Sequence, residues 1–381
     1  MKRFVILFTA LALFLALTTP AGAVDFQEEL QRLTQDNARG YIGPFATAFG
    51  TAMNSGLYHT AKPHSLLGLD ISAKISLLQV ADEDLTYDFY FPHVPFPVTN
   101  PITSQTDTLA IDLNQFYLDR KTSTVFGDNP APQLTPDQGG VDAALRSALA
   151  DAGWSPSDIS FFMNTPAWNA LRDSLVARIP PFQSVSGIGV DFFGLAMPQV
   201  SVGLPMKSEV LLRILPTMAV GDFGDVSFIG VGLKHNVSQY IPVPMFPVDI
   251  SVQFVYQQLK LGSLIESKHT AFNVEVSKKL GLPVLSLTPY VGVGLESSDL
   301  KVEYTIKNST YPDIYDNATG SLIPDGIGDF EGQTFGFDLE GDNSFRATGG
   351  VRLGLGFITV NADYSAGAYT TASVGVGLTF R

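Results

Sequence analysis

Strict alternation of apolar and polar positions dominates the second half of the chain. Near the end, Val374, Val376, Leu378 and Phe380 alternate with small or polar residues. Successive side chains of a strand point to opposite faces, so this period of two predicts a strand with one apolar face. Residues 358–364 alternate in the same way, and the short link between the two segments predicts a hairpin.

The same alternation recurs upstream. The clearest examples are residues 67–77, 85–91, 109–113, 210–214, 229–233, 252–256, 272–276, 285–295, 300–306 and 335–339. Charges recur on one face of these segments and are almost absent from the other. A β-sandwich also alternates, but its polar face meets bulk water. We therefore predict an all-β fold, a transmembrane antiparallel β-barrel of about twelve to fourteen strands whose polar face lines a wet or plugged lumen.

Two regions interrupt the alternation. Residues 24–53 show helical spacing of apolar positions and predict two short helices, so residues 24–60 form an N-terminal segment that either plugs the barrel or caps its periplasmic end. Residues about 119–182 predict a helical insertion with helices at 141–150 and 166–179, the second capped by Thr165 and started by Pro166. The barrel with this insertion is assigned to residues 61–381.

The first 23 residues have the pattern of a secretory signal peptide. Lys2 and Arg3 precede an apolar run at 4–17, and Ala21-Gly22-Ala23 supplies a cleavage site. A membrane-anchoring helix is the alternative, but Pro20 and the small residues favour cleavage. We expect export of the chain and insertion into the outer membrane of a Gram-negative bacterium.

Composition narrows the function. Without Lys2 and Arg3 the chain has 21 basic and 37 acidic residues, a net charge of −16, which disfavours nucleic acid as a partner. The mean hydropathy is +0.17, yet no clean run of about eighteen apolar residues follows the predicted signal. The absence of cysteine excludes disulfides, thiol chemistry and cysteine-ligated metals.

Several short motifs carry a family resemblance. They include Val202-Gly203-Leu204-Pro205, the segment 210–216, Gly230-Val231-Gly232-Leu233-Lys234-His235, the proline-rich segment 242–249, and Asn54-Ser55-Gly56-Leu57-Tyr58. The chain resembles an uncharacterised family of envelope proteins from Bacteroidetes-type bacteria, which implies an outer-membrane barrel and supplies no catalytic residues. An N-terminal helical segment before a barrel is also distantly similar in architecture to the long-chain fatty-acid outer-membrane transporters.

Two sets of residues are candidates for a site. The aromatic residues of the N-terminal segment, which suit an apolar ligand path, are Tyr41, Phe45, Phe49 and Tyr58. The charged residues expected at the polar face, which suit a lumenal site or a structural network of ion pairs, are Glu209, Arg213, Lys234 and His235. The structural network is the favoured interpretation. No histidine spacing predicts a metal site, no motif predicts an enzyme, and no cofactor is expected.

The functional hypothesis is a passive channel or transporter for small hydrophobic molecules, porin-like in fold. The alternative is a structural or surface-interaction barrel without transport activity, whose loops bind a partner or glycolipid. The expected partners are outer-membrane lipid and lipopolysaccharide, with a hydrophobic substrate if transport occurs, and a monomer is favoured. The loop at 308–332 is acidic and is expected on the extracellular side.

Overall fold

A computed structural model describes residues 33–91, 93–99, 106–130, 132–178, 182–219, 225–243, 247–281, 284–305 and 332–380. The predicted signal peptide and all but the last residue of the acidic loop 308–332 lie outside these ranges. Among the described residues, no helix is both long and apolar enough to cross a membrane.

Eighteen strands and four α-helices are described. The strands are β1 (Leu69–Gln79), β2 (Thr86–Asp88), β3 (His93–Thr99), β4 (Thr106–Asp112), β5 (Lys121–Ser123), β6 (Gln133–Leu134), β7 (Phe182–Gln183), β8 (Phe192–Leu204), β9 (Ser208–Ala219), β10 (Asp225–Asn236), β11 (Asp249–Leu261), β12 (Ile265–Ser277), β13 (Leu280–Gly281), β14 (Leu285–Thr305), β15 (Thr334–Glu340), β16 (Phe345–Leu355), β17 (Ile358–Ala366) and β18 (Thr371–Phe380). The helices are α1 (Gln35–Met53), α2 (Gln138–Asp151), α3 (Pro156–Met163) and α4 (Pro166–Arg178).

Ten of these strands close into an antiparallel barrel. Their order around the wall is β1, β8, β9, β10, β11, β12, β14, β16, β17 and β18, and β18 pairs back onto β1. We call the end where Leu69 pairs with Phe380 the terminal end. The opposite end, where residues 80–191 leave the wall between β1 and β8, is the cap end, and those residues are the cap.

The wall has an apolar outer surface and a polar inner surface. In β18 the residues Val374, Val376 and Leu378 are exposed, whereas Thr371 and Ser373 are buried. An outer row of exposed valine, leucine, isoleucine and phenylalanine continues around β9, β10, β11, β12, β14, β16 and β17. This surface suits lipid, and the predicted all-β class and transmembrane antiparallel barrel are confirmed.

The strand number is ten rather than about twelve to fourteen, for two reasons. The predicted strands at 85–91 and 109–113 lie in the cap, where β2 pairs with β5 and β3 pairs with β4. The segments at 285–295 and 300–306 were expected to be separate strands, but β14 is continuous over 21 residues. Alternation alone does not show where a strand turns back, so both errors inflate the count.

The two halves of β14 face opposite environments. Toward the terminal end, Leu287, Val291 and Leu295 are exposed on the outer surface. Toward the cap end the pattern reverses, and Leu300 and Val302 are buried inside. At about 3.3 Å per residue, 21 residues are roughly twice the 9–11 that a tilted strand needs to cross a bilayer. The cap-side half of β14 therefore rises beyond the lipid, where its outer face is charged and its inner face packs on protein.

The helical insertion is larger than its predicted span of about 119–182. The cap runs from residue 80 to 191 and contains β2–β7 and helices α2, α3 and α4. Asp137 caps α2 by accepting a hydrogen bond from the Gly140 amide at 3.1 Å, and Thr165 caps α4 by accepting one from the Trp168 amide at 3.3 Å. The cap has its own apolar core, which is continuous with α1 and the cap-side half of β14.

The N-terminal segment fills the lumen. Residues 24–53 were expected to form two short helices, but the described part contains one helix, α1, with Pro44 inside it. Residues 54–65 continue from α1 through the barrel toward the terminal end, so the wall begins at Leu69 rather than at residue 61. We call residues 33–65 the plug.

Candidate functional site

Main-chain carbonyl groups of the plug are bound by polar side chains of the wall. Arg213 on β9 donates to the Met53 carbonyl at 2.7 Å through Nη1 and to the Ser55 carbonyl at 2.8 Å through Nη2. The same guanidinium donates to the side-chain oxygens of Gln199 and Gln257 at 3.0 and 3.2 Å. Arg213 has no measurable exposure, and no carboxylate lies within ion-pair distance of it among the described residues. Its charge is therefore compensated by carbonyl groups at the end of α1 and by side-chain amides of the wall.

A second arginine holds the other side of the same turn. Arg346 on β16 donates to the Thr51 carbonyl at 2.6 Å and to the Ser55 hydroxyl at 2.8 Å. It also forms a buried ion pair with Glu296 of β14. The last four carbonyl groups of a helix lack helical partners, and here the two arginines bind two of them, those of Thr51 and Met53.

Glutamines and hydroxyl groups continue these contacts toward the terminal end. The side chain of Gln257 donates to the Met53 carbonyl at 3.0 Å, and that of Gln253 donates to the Leu57 carbonyl at 3.4 Å. Ser277 accepts a hydrogen bond from the Ala61 amide at 2.9 Å. Buried backbone groups need hydrogen-bond partners, and in an open lumen water would supply them. Here the side chains of the wall supply them to the plug.

Three charged side chains of the wall form a buried cluster with His64 in the last part of the plug. The Lys234 ammonium lies 3.6 Å from Glu209 and 3.4 Å from Glu275, and it donates to the Thr60 carbonyl at 3.0 Å. Glu209 accepts hydrogen bonds from the backbone amide of His64 at 3.0 Å and contacts its ring Nδ1 at 2.6 Å. The cluster is buried, so the ion pairs depend on this complete set of partners.

Beside this cluster, β1 contributes two further buried charges. The Lys74 ammonium donates to the Asn361 side chain at 2.6 Å and contacts the ring of His59 at 3.2 Å. The Asp70 carboxylate lies 3.9 Å from His59 and 3.8 Å from His64. Both histidines belong to the plug, so β1 binds it through charged side chains as β9 and β10 do.

Three of the four predicted lumenal residues, Glu209, Arg213 and Lys234, share this environment. His235 does not, because it follows Lys234 and therefore points to the outer face of β10. There it contacts the hydroxyl groups of Ser208 and Tyr240 at the rim of the barrel. The expectation that His235 faces the lumen is wrong, because adjacent residues of a strand point to opposite faces and Lys234 points inward.

The aromatic residues predicted to line a ligand path are packed. The Tyr41 hydroxyl donates to the Ser186 carbonyl of the cap at 3.0 Å, and Phe45 stacks on Phe49 with ring centroids 5.5 Å apart. Tyr58 lies against Tyr290 with centroids 6.1 Å apart. Tyr58 belongs to a separate apolar cluster. Along the chain, the residues held by Arg213 and Arg346 lie between Phe49 and Tyr58.

Close approach of the plug depends on glycine at two positions. A Cβ atom on Gly50 of α1 would lie 2.1 Å from the Ser298 hydroxyl of β14, and one on Gly292 of β14 would lie 2.2 Å from the Tyr58 hydroxyl. Neither position leaves room for a larger side chain. The plug and the wall therefore fit each other closely at both the helix and the turn below it.

A cavity of about 460 Å³ remains at the terminal end, between the plug and the wall. Residues 60 and 62–65 of the plug line one side, and residues of β14, β16, β17 and β18 line the other. Within the described ranges no group of three or more histidine, aspartate or glutamate side chains is arranged to hold a metal ion.

Sequence reasoning missed several residues of the plug–wall contact and of the charge network behind it. They are His59, His64, Asp70, Lys74, Gln199, Gln257, Glu275, Glu296 and Arg346. A signal for the wall residues was present, since each occupies the polar row of an alternating strand. Nothing in the alternation indicates that Gln199, Gln257 and Arg346 bind backbone carbonyl groups of a segment 142 to 295 residues away.

Comparisons with known proteins add a family but no activity. No curated protein matches the chain. Among solved structures, Ail, the attachment invasion locus protein of Yersinia pestis, is 9% identical, with a TM-score of 0.20 over 45% of this chain and 93% of that chain. OccK8 (OprE) of Pseudomonas aeruginosa is 6% identical, with a TM-score of 0.09 over 82% of this chain and 97% of that chain. At these scores the fold assignment rests on strand pairing and burial. A model of the family of unknown function DUF6588 matches residues 1–380, and the chain belongs to that family.

Proposed function

We propose that the protein is a closed barrel of the Gram-negative outer membrane whose cap is its working surface. The apolar outer wall and polar inner wall support a place in a membrane. Short turns favour the periplasmic side and long loops the outside. The terminal end has turns such as the two residues between β16 and β17, whereas the cap leaves the opposite end. We therefore orient the cap outward, which makes the signal peptide expected at 1–23 the means of export.

The observation that carries this proposal is the binding of the plug through its own backbone. Carbonyl groups of Met53, Ser55, Leu57, Thr60 and Ala61 all accept hydrogen bonds from wall side chains. If the plug moved aside, a solute passing through the lumen would not present carbonyl groups at the same positions, and the wall side chains would lose these hydrogen bonds. This contact pattern suits a permanent part of the barrel interior better than a gate.

The surface that remains for a partner is acidic. The cap contains 14 acidic and 5 basic residues. A partner attracted by charge is therefore basic, or reaches the cap through bound divalent cations, as lipopolysaccharide can. The outer wall itself would contact membrane lipid.

Passive uptake of small hydrophobic molecules, the activity that a fatty-acid transporter architecture implies, remains the second candidate. The clustered rings of Phe45, Phe49 and Phe193 favour it, because they provide an apolar surface near the cap end. Transport along this route requires the plug to move. The two functions therefore differ in one measurable property, the mobility of the plug in the membrane.

A disulfide between plug and wall tests this difference. The chain has no cysteine, and the hydroxyl oxygens of Thr60 and Ser277 are 3.2 Å apart across the plug–wall contact. The variant Thr60→Cys/Ser277→Cys would fix the plug after oxidation. A matched control, Ser76→Cys/Ser373→Cys, joins two wall strands whose hydroxyl oxygens are 3.0 Å apart and leaves the plug free.

Full-length protein in liposomes is assayed for release of a small dye and for uptake of a fluorescent fatty acid. We expect neither activity above empty liposomes, with or without oxidation. A variant lacking both arginines, Arg213→Met/Arg346→Met, should release dye and thereby show that the assay detects an open lumen. Uptake by the wild-type protein that oxidation stops in the plug–wall pair, and leaves unchanged in the control pair, would contradict a closed barrel and establish transport.

A further inference from the structure

The cavity at the terminal end is built jointly by the plug and the wall. Its volume, about 460 Å³, falls within the range of small-molecule sites. Lys62 and His64 come from the plug, whereas Lys279 follows β12 and Arg352 lies on β16. A molecule bound here would touch both parts of the protein at once.

The lining of this cavity is basic in a chain whose net charge is −14. Lys62, His64, Lys279 and Arg352 face a single carboxylate, that of Asp249, and six of the fifteen lining residues carry hydroxyl groups. Cationic groups and hydroxyl donors together form the surroundings that anions prefer in proteins.

Carboxylates behind the lining are already engaged. Glu209 is bound by His64 and Lys234, and the Asp70 carboxylate accepts a hydrogen bond from Thr379 and lies 3.5 Å from the Arg352 guanidinium. Arg352 itself is 14% exposed and donates to the Thr379 hydroxyl at 2.8 Å, which fixes its position at the cavity wall. The guanidinium is thus held in place by the wall rather than free to follow solvent.

We infer that this cavity binds a phosphate group, carried either by a soluble ester or by a lipid headgroup. A phosphate presents several strong acceptor oxygens and up to two negative charges, which suits cations that approach from the plug and from two places on the wall. The bound group bridges the plug and β16, so it stabilises the plugged barrel. The chemistry of the pocket does not depend on the function proposed above. Only the side of the membrane from which the ligand enters, the periplasm, rests on the orientation proposed there.

Binding is measured by titration calorimetry on the full-length protein in a neutral detergent. The probes are inorganic phosphate and a short-chain phosphatidylglycerol, each compared with chloride at equal ionic strength to remove screening. The variant Lys62→Gln/Lys279→Gln removes the two lysines that line the cavity. Its control, Lys260→Gln/Lys301→Gln, removes two lysines from a smaller cavity near the cap end that also contains Glu266 and Glu303.

We expect saturable phosphate binding to the wild-type protein and the control variant, weakened roughly a hundredfold in Lys62→Gln/Lys279→Gln, since each lost charge-assisted contact is worth about tenfold. Binding of phosphatidylglycerol alone identifies a headgroup as the source, and binding of both probes identifies a soluble ester. Equal affinity in the two variants, or no saturable binding of either probe, overturns the inference. A conducting wild-type protein would contradict the closed barrel without affecting this result.

Discussion

Replacing Arg213 with methionine should loosen the plug while the wall remains intact. Arg213 donates to two plug carbonyl groups, those of Met53 and Ser55, from a fully buried position. Hydrogen bonds that involve a charged group contribute about 1.5–3 kcal/mol each. Methionine is close in length and apolar, so it fills the space without the cost of burying a charge.

The expected size of the effect follows from the lost hydrogen bonds and from the cost of burying the charge, which methionine avoids. Loss of two charge-assisted bonds amounts to about 3–6 kcal/mol, and removal of the desolvation cost of the guanidinium offsets part of it. We expect the free energy that holds the plug closed to fall by about 2–4 kcal/mol. Since each 1.4 kcal/mol is a factor of ten, the fraction of open protein should rise by about 30-fold to 700-fold.

A single cysteine at position 51 reports this opening. Thr51 is 1% exposed, and its hydroxyl group has no hydrogen-bond partner in the described structure, so Thr51→Cys removes no contact that holds the plug. Labelling of the thiol by a bulky maleimide requires the plug to leave its place. The labelling rate of Thr51→Cys/Arg213→Met should exceed that of Thr51→Cys by the factor given above.

The control for this comparison is Arg120→Met. Arg120 also donates to a backbone carbonyl and to a side-chain amide oxygen, those of Phe89 and Asn114, but it lies in the cap. It should leave the labelling rate at position 51 unchanged. If Arg213→Met labels within about threefold of the parent while both variants keep a compact, heat-modifiable gel band, the arginine does not hold the plug and the reasoning fails.

Three further changes test other contacts. The first two are followed by the temperature at which the compact gel band is lost, and the third by the rate of proteolysis. Gly50→Ala should destabilise the protein because a methyl group there meets the wall, whereas Gly43→Ala on the same helix has nothing within 4 Å and should be neutral or stabilising by up to about 1 kcal/mol. Lys234→Met leaves two buried carboxylates without their shared cation and should cost about 3–5 kcal/mol at neutral pH. Tyr369→Phe removes a 2.6 Å hydrogen bond to Asp84 that joins the cap to the loop between β17 and β18. Burial, and then that hydrogen bond, raise the pKa of Tyr369, so the phenol remains a donor, and its loss should speed proteolysis of the cap up to about tenfold at both pH 7 and pH 9.

The wall was predictable because its physics is local. A strand that separates lipid from a polar lumen must alternate, and residues such as Val376 and Ser373 show their environment through parity alone. Parity also places Glu209 and Arg213 inside. The error at His235 has the same origin, since one residue along a strand reverses the face.

The partners of the polar face were not predictable from the same pattern. Arg213 reads as one member of an ion pair, yet its contacts are carbonyl groups of residues about 160 positions earlier. Backbone carbonyls are present at every residue, so no side-chain pattern marks those that will be bound. The reversal within β14 was hidden for a related reason, because alternation is the same whether the apolar face meets lipid or a packed cap.

These contacts change the meaning of a polar barrel interior. In an open pore, inward-facing arginine, lysine and glutamine side chains form hydrogen bonds with water and need no plug as a partner. Here Lys74, Arg213, Lys234 and Arg346 are each at most 5% exposed and reach the plug from four different strands. Buried charges at this density require partners that are present whenever the barrel is closed. The plug therefore supplies the hydrogen-bond partners that the inner face of the wall needs. We expect the plug to be in place when the barrel closes during assembly.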